Sequence, residues 1–359
     1  MNPDNTRTSA EPNLNTGAPA QPDLNAGAPA QPDLNAGAPA QPEALLRAEN
    51  LTKTFLTQKK KTLHAVSSVN LSVYPGETLA LVGESGCGKS TLAKALIRMV
   101  PATSGTVFYR GKNITGMTER DFRPLRMKMQ MVFQDPYASL DPRMTVRNLI
   151  AEPLDTYQVC GRDKQAVTDK VLELMDRVGL PGEFLYRYPH QFSGGQRQRI
   201  GIARAIALDP ELLICDEPVS ALDVSVQSQI LNLLKQLRED MHLTSLFIGH
   251  DLSVIYYIAD RVCVMFLGTV CEIAPKKELF SHPLHPYTEY LLDAIPKPDP
   301  HLRGSHRKLL EGDVPSPVDP PPGCRFHTRC PYADERCRTE MPVLRDFGDG
   351  HFAACHRDP

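Results

Sequence analysis

No apolar stretch in the chain approaches the roughly 18 residues that a membrane-spanning helix requires, so no transmembrane segment is expected. No apolar h-region follows Met1, which argues against a secretory signal. An excess of one charge is also missing. The 40 basic and 42 acidic residues leave a net charge of −2, so bulk electrostatics implies neither nucleic acid nor an anionic membrane surface as a direct partner. Apolar side chains are scarce at the N-terminus. Pro12–Gln21, Pro22–Gln31 and Pro32–Gln41 are near-copies of PDLNAGAPAQ, with little beyond Leu14, Leu24 and Leu34 to bury. Such a segment cannot offset its ordering entropy, and residues 1–43 are expected to form a disordered arm without a catalytic role. Its repeat carries no apolar face on which a solenoid could stack. The remainder is different: with 41% hydrophobic residues, the 359-residue chain can build a full core in one or two domains.

The strongest local signal is Gly83-Glu84-Ser85-Gly86-Cys87-Gly88-Lys89-Ser90. The apolar run Leu79–Val82 before it reads as a strand, and Thr91–Ile97 after it as a helix. In that setting the glycines turn backbone N–H groups inward around the α- and β-phosphates of a nucleotide, which then rest on the positive end of the helix. Lys89 reaches the β- and γ-phosphates, and Ser90, beside Thr91, ligates Mg²⁺. Leu212–Cys215 is a second apolar run, ending in Asp216-Glu217-Pro218. A buried parallel strand reads this way and presents ligands at its carboxyl end. Asp216 is thereby expected beside Mg²⁺. Glu217 is expected next to the γ-phosphate, where a carboxylate orients and deprotonates the attacking water.

With Gln134, Ser193-Gly194-Gly195-Gln196, Ser220-Ala221-Leu222-Asp223 and His250 added, the set resembles the ATP-binding cassette ATPases, in order and spacing, over roughly residues 44–270. The resemblance implies an α/β fold: a phosphate-loop NTPase core with an antiparallel β subdomain and a helical subdomain (about 138–208) carrying the signature, all within a cassette spanning 44–275. It gives Gln134 the Mg²⁺ and attacking water, and His250 the γ-phosphate. It assigns Ser193–Gln196, at the start of a helix, to the γ-phosphate of ATP held by a second cassette, and Asp223 to that interface. The chain would then bind ATP without completing the catalytic site alone. The signature departs from the family at Phe192, which replaces Leu and keeps an apolar anchor. Phe55 stands where an aromatic would stack on adenine; a strand-end core residue reads the same way. Asp135–Arg143 lies where the family couples nucleotide state to a permease. Ala166–Val178, with Val167, Val171, Leu172, Leu174, Met175 and Val178 spaced by threes and fours, is an amphipathic helix.

Residues 276–359 add an irregular C-terminal extension, which includes Gly312–Pro317 and the Pro-rich run Asp319–Cys324. This ending, together with Phe133–Pro142, resembles the ATPase subunits of bacterial di- and oligopeptide importers, nearest to the second of the two ATPases in such systems. The resemblance implies a paralogous second ATPase, two membrane permeases, an extracytoplasmic peptide-binding protein acting indirectly, and a place on the cytoplasmic face of the cell membrane. Nickel or another solute is an alternative cargo. A soluble ribosome- or DNA-acting cassette protein is a rival, but such proteins usually carry two cassettes or a long coiled-coil insertion, and neither occurs here. Cys87, Cys160, Cys215, Cys263 and Cys271 are scattered and read as small apolar packing. Cys324, Cys330, Cys337 and Cys355 fall within 32 residues. In a cytosolic chain a metal is favoured over disulfides. Zinc, a [4Fe–4S] cluster and no metal all remain open; the C-x5-C-x6-C-x17-C spacing lacks the short knuckles typical of zinc, and the family resemblance points to iron–sulfur. No residue beyond His250 is expected to touch phosphate.

Overall fold

The computed structural model describes residues 43–295 and 313–358; apart from Glu43, the repeat arm expected over 1–43 lies outside them. Chain order begins with β1 (Leu46–Leu56), β2 (Thr62–Val73), β3 (Thr78–Val82), α1 (Lys89–Leu96), β4 (Ser104–Tyr109) and β5 (Lys112–Asn113). It continues through α2 (Glu119–Lys128), β6 (Met129–Val132), α3 (Pro136–Ser139), α4 (Val146–Thr156), α5 (Lys164–Arg177) and α6 (Gly194–Ile206). Then come β7 (Leu212–Asp216), α7 (Val224–Met241), β8 (Thr244–Ile248), α8 (Leu252–Ile258), β9 (Arg261–Phe266) and β10 (Thr269–Pro275). The chain closes with α9 (Lys276–Ser281), α10 (Pro286–Asp293), α11 (Glu335–Thr339), β11 (Arg345–Asp346) and β12 (Phe352–Ala353). Among the described residues, no helix is long and apolar enough to cross a membrane.

Two sheets organise these elements. The antiparallel sheet runs β2-β1-β4-β5, and the larger one β11-β12-β10-β9-β3-β8-β7-β6. In the larger sheet β6, β7, β8, β3 and β9 are parallel. Every residue of β3 and β7 is buried. That is why these strands read as continuous apolar runs: helices cover both faces, so no alternate position faces water. The carboxyl ends of β3, β6, β7 and β8 then open on one rim, as expected for a ligand site in a parallel sheet.

The helical subdomain packs α4, α5 and α6 around Leu149, Ile150, Leu154, Val171, Met175 and Ile200. α5 starts two residues earlier than the apolar spacing suggests. Asp163 caps it, its carboxylate accepting from the Gln165 and Ala166 N–H groups at 2.8 and 3.2 Å. Leu172 belongs to the exposed side of this helix, not to its buried stripe. It sits about 100° around the axis from Val171, enough to turn it away from the seam held by Val167, Val171, Leu174 and Met175.

The C-terminal extension is less separate than its composition suggests. β12 adds to the cassette sheet, pairing antiparallel with β10 through Ile273 and Phe352, and β11 follows on β12. Phe326 is 1% exposed and lies against Phe266, Tyr287 and Tyr290, at centroid distances of 5.4, 5.3 and 6.2 Å. A fully buried carboxylate, Glu272 on β10, accepts from the backbone N–H groups of Leu284 and His285 at 2.9 and 3.0 Å, and meets Nε2 of His351 at 2.7 Å. Phe326→Ala is expected to cost about 3–5 kcal/mol, as for a buried aromatic truncated in a packed core. Thermal unfolding should report the loss, and limited proteolysis should cut within 313–358 before the cassette. Wild-type protease resistance of that segment would show that the ring does not anchor it.

Candidate nucleotide site

The phosphate loop leaves β3 with three glycines in conformations that L side chains avoid: Gly83, Gly86 and Gly88 have φ of +148°, +79° and +102°. Two of them also allow close approach. A Cβ on Gly83 would run into the Met265 carbonyl, and one on Gly88 into the Ala65 carbonyl. Gly88 is the N-cap of α1, so the helix starts at Lys89 with Ser90 and Thr91 in its first turn. Lys89 is buried, and its ammonium donates to the carbonyls of Gly83 and Glu84 at 2.8 and 2.9 Å. Cys87 is buried behind the loop, and burial raises its thiol pKa. Ser85 and Gly86 form the exposed crest.

Across the rim, Ser90 Oγ donates to Asp216 Oδ1 at 2.6 Å. Burial raises the Asp216 carboxyl pKa; the Ser90 hydrogen bond and the Lys94 and Lys89 charges oppose that shift. The serine hydroxyl and the aspartate expected to serve one divalent cation are thus adjacent. Glu217 follows with a backbone φ of +43°, unusual for a side chain of its size. Its N–H donates to the Ile248 carbonyl at 3.1 Å, which ties the turn to the end of β8. The Glu217 carboxylate accepts from Gln134 Nε2 at 2.9 Å and lies 3.5 Å from His250 Nδ1. Gln134, Glu217 and His250, drawn from the ends of three parallel strands, therefore meet at one point. A carboxylate held between an amide donor and an imidazole at the rim of an open site can take a proton from water.

The other expected residues are placed elsewhere. Ser193 caps α6 in a reciprocal box: its hydroxyl accepts from the Gln196 N–H at 3.3 Å, and the Gln196 side chain accepts from the Ser193 N–H at 3.0 Å. Gly194 and Gly195 are small because the segment before α7 and α7 itself press on them; a Cβ on Gly195 would strike Val226, and one on Gly194 would crowd Leu222. Asp223 caps α7, its carboxylate accepting from Ser225 Oγ at 2.6 Å. Among the described residues, no hydrogen bond or ion pair joins Ser193–Gln196 or Asp223 to the phosphate loop. Phe55 lies near the end of β1, 39% exposed, with the Lys53 ammonium 4.7 Å from its ring centroid, so it is not a core residue. Asp135–Arg143, read as a loop, contains the short helix α3, capped by Asp135. The Arg197 guanidinium stacks 3.6 Å from the Tyr137 ring centroid and hydrogen-bonds its hydroxyl, joining α6 to this segment.

Two contacts on the loop were not visible in the sequence. The Glu84 N–H donates to Tyr287 Oη at 2.9 Å, and Arg329 Nη1 reaches both Glu84 carboxylate oxygens at 3.0 and 3.1 Å. The extension thus touches the loop itself. No spacing rule connects positions so far apart.

Cys324, Cys330, Cys337 and Cys355 line one cavity of about 180 Å³, together with His327 and His356. All four are free thiols. Burial pushes Cys324 up to about 12 and Cys330 up to about 11, and it also raises Cys337 and Cys355. Among the described residues, no group of three or more His, Cys, Asp or Glu side chains is arranged to hold a metal ion. The expected metal therefore has its candidate thiols around one cavity but no closed ligand set.

Two family models match the chain: "ABC transporter" over residues 66–220 and "Oligopeptide/dipeptide transporter, C-terminal region" over residues 271–337. The chain is 54% identical over 293 residues to the oligopeptide transport ATP-binding protein OppF of Salmonella typhimurium, covering 81% of this chain and 87% of that protein. It is 49% identical over 324 residues to the oligopeptide transport ATP-binding protein AppF of Bacillus subtilis, covering 88% and 97%. Among solved structures, it resembles the dimeric post-hydrolysis state of the ATP-binding cassette MJ0796 bound to ADP and Pi. The TM-score is 0.60 at 28% identity, covering 64% of this chain and 98% of that one.

Glu217→Gln keeps the shape of the side chain and its contacts at the rim but removes the basic carboxylate. Steady-state ATP hydrolysis is expected to fall by about a hundredfold or more, the usual worth of a positioned base, with ATP binding retained. Near-normal turnover in this variant would remove Glu217 from the role of base.

Proposed function

The chain belongs to the ABC transporter ATPases, and from that premise we propose that it is the ATP-hydrolysing subunit of a bacterial importer taking up di- and oligopeptides through membrane permease partners. The observation that carries this reading is the union, in one chain, of a phosphate-loop rim bearing Glu217 with a C-terminal region matched by the oligopeptide/dipeptide transporter model. The subunit would sit peripherally on the cytoplasmic face of the membrane. The chain would comprise two sequence modules, a cassette over 44–275 and an extension over 276–359, which share one sheet.

In this reading ATP lies on Gly83–Thr91, with Lys89 on the β- and γ-phosphates and Phe55 offering its ring to adenine. Mg²⁺ is held by Ser90, Asp216 and Gln134. Glu217 is the base and His250 a γ-phosphate contact. Ser193–Gln196 would complete the site of a second cassette, with Asp223 across the interface. That second subunit is proposed to be a paralogue. The support is geometric: among the described residues, the signature helix makes no hydrogen bond to the chain's own phosphate loop, and its N-terminal N–H groups suit an anion. Tyr137, exposed on α3 and stacked on Arg197 of the signature helix, gives the permease-facing segment a mechanical link to that site. Ser193→Arg is expected to leave ATP binding by the isolated subunit intact, while abolishing both steady-state hydrolysis and uptake of labelled peptide by cells. Peptide uptake at the wild-type rate would refute the role of the signature, and absence of peptide uptake by the wild-type system would refute the cargo.

The extension is proposed to hold a [4Fe–4S] cluster on Cys324, Cys330, Cys337 and Cys355. Four free thiols around one cavity support it. The C-x5-C-x6-C-x17-C spacing lacks the short knuckles typical of zinc, which favours the cluster over the zinc alternative. When bound, the cluster would replace thiol protons with iron and cross-link a short segment that has little core of its own. Protein purified without oxygen should be brown and carry about four irons per chain. Cys330→Ser should lose the colour and most of the iron. Colourless wild-type protein with one bound zinc would replace the cluster by a structural zinc, and metal-free wild-type protein would remove both.

A further inference from the structure

Glu84, second residue of the phosphate loop, is held through three of its groups. Its N–H donates to Tyr287 Oη, its carbonyl accepts from the Lys89 ammonium, and its carboxylate pairs with Arg329. Two of these partners belong to the C-terminal side of the chain and are themselves well buried. The Arg329 side chain is 7% exposed, and Tyr287 is fully buried against Phe266 and Phe326. Arg329 lies in the turn between Phe326 and Cys330, and its N–H donates to the Phe326 carbonyl at 3.0 Å. The backbone that carries the guanidinium is therefore fixed by the same aromatic cluster that packs Tyr287.

The electrostatics gives this contact a role. A loop that gathers a triphosphate carries a carboxylate at its second position, and an unpaired negative charge there would oppose nucleotide binding. Arg329 neutralises that charge in a poorly hydrated setting, where salt screens it little. Tyr287 meanwhile fixes the Glu84 peptide, and with it the carbonyl that the Lys89 ammonium contacts. We propose that Arg329 and Tyr287 are positioning residues for the phosphate loop, through which the extension sets the affinity of the cassette for ATP. Neither touches the nucleotide; both act through Glu84. The inference rests on the nucleotide-site reading above and adds to it a dependence on the C-terminal segment.

The test uses the full chain, with nucleotide affinity and steady-state hydrolysis measured for Arg329→Gln, Glu84→Gln and the double variant. Arg329→Gln is expected to raise Kd and KM for ATP by about fivefold or more while kcat stays within about twofold, the size of a modest coupling between two sites. Arg329→Lys should recover part of the loss. In the Glu84→Gln background the same Arg329 substitution should add little, because the charge it balances is gone. Tyr287→Phe keeps the packed ring and removes only the hydroxyl; it serves if Arg329→Gln does not fold, and about threefold weaker ATP binding is expected. Unchanged affinity in Arg329→Gln or in Tyr287→Phe overturns the proposal, as does an equal loss in both Glu84 backgrounds, which would mark a general loosening of the tail. Failure of the wild-type chain to bind ATP would sink the nucleotide-site reading itself, a different result from wild-type affinity in these variants.

Discussion

A carboxylate with no access to water must be satisfied from within, and Glu272 is the point on which the C-terminal half of the molecule depends. Two backbone N–H groups and one imidazole supply what solvent cannot. Those partners come from the start of α10 and from the loop before β12, so one buried charge fastens two separate segments to β10. Removing one of these partners would leave a buried carboxylate oxygen short of a hydrogen bond, the costly way to break such an arrangement. His285 extends the network. Burial lowers its pKa to about 4, so near neutral pH the ring is uncharged, and its Nδ1 accepts from the Tyr287 N–H at 3.0 Å. A charged imidazole could not accept there. The Tyr287 ring is thereby seated, and Phe326 closes against it.

The nucleotide rim obeys a second constraint, parallel strand order. Because β6, β7, β8 and β3 lie side by side and point the same way, residues far apart in sequence reach the same edge without long loops. Glu217 shows how finely this is adjusted. Its left-handed backbone, pinned by the Ile248 carbonyl, turns the chain sharply at the end of β7 and brings the carboxylate back over the rim toward Gln134 and His250. A residue of this size adopts that conformation only where its surroundings enforce it.

The phosphate loop and the Asp216-Glu217 pair were legible in the sequence because their signals are local, whereas Gln134 and His250 came only with the family resemblance. A Gly-rich turn between an apolar run and a helix, or two carboxylates ending a buried strand, declares itself within ten residues. The same apolar runs gave the strands β3 and β7, while the two-sheet and helical-subdomain architecture came only with the family resemblance. The extension was opaque for the opposite reason. β11 and β12 are two residues long and carry no periodicity, and Glu272 is the one charged residue in a mostly apolar strand. Arg329 reads as one more charge in a Pro-rich tail of mixed charge until its partner is known. The reading that nothing past His250 touches phosphate missed what Tyr287 and Arg329 do one step removed, by gripping the loop. Leu172 was misread because spacing alone assigns a helical face too generously at its edges.

Glu84 and Arg329 are 245 residues apart, and Glu272 and His351 are 79 apart, so these contacts close only after most of the chain has been made. Contacts of such long range form late and slowly. During synthesis from the N-terminus, the phosphate loop would leave the ribosome long before the residues that brace it. A nascent cassette would thus carry a recognisable but unbraced nucleotide loop. The loop would gain its full grip on nucleotide only once Tyr287 and Arg329 have emerged and folded back on it.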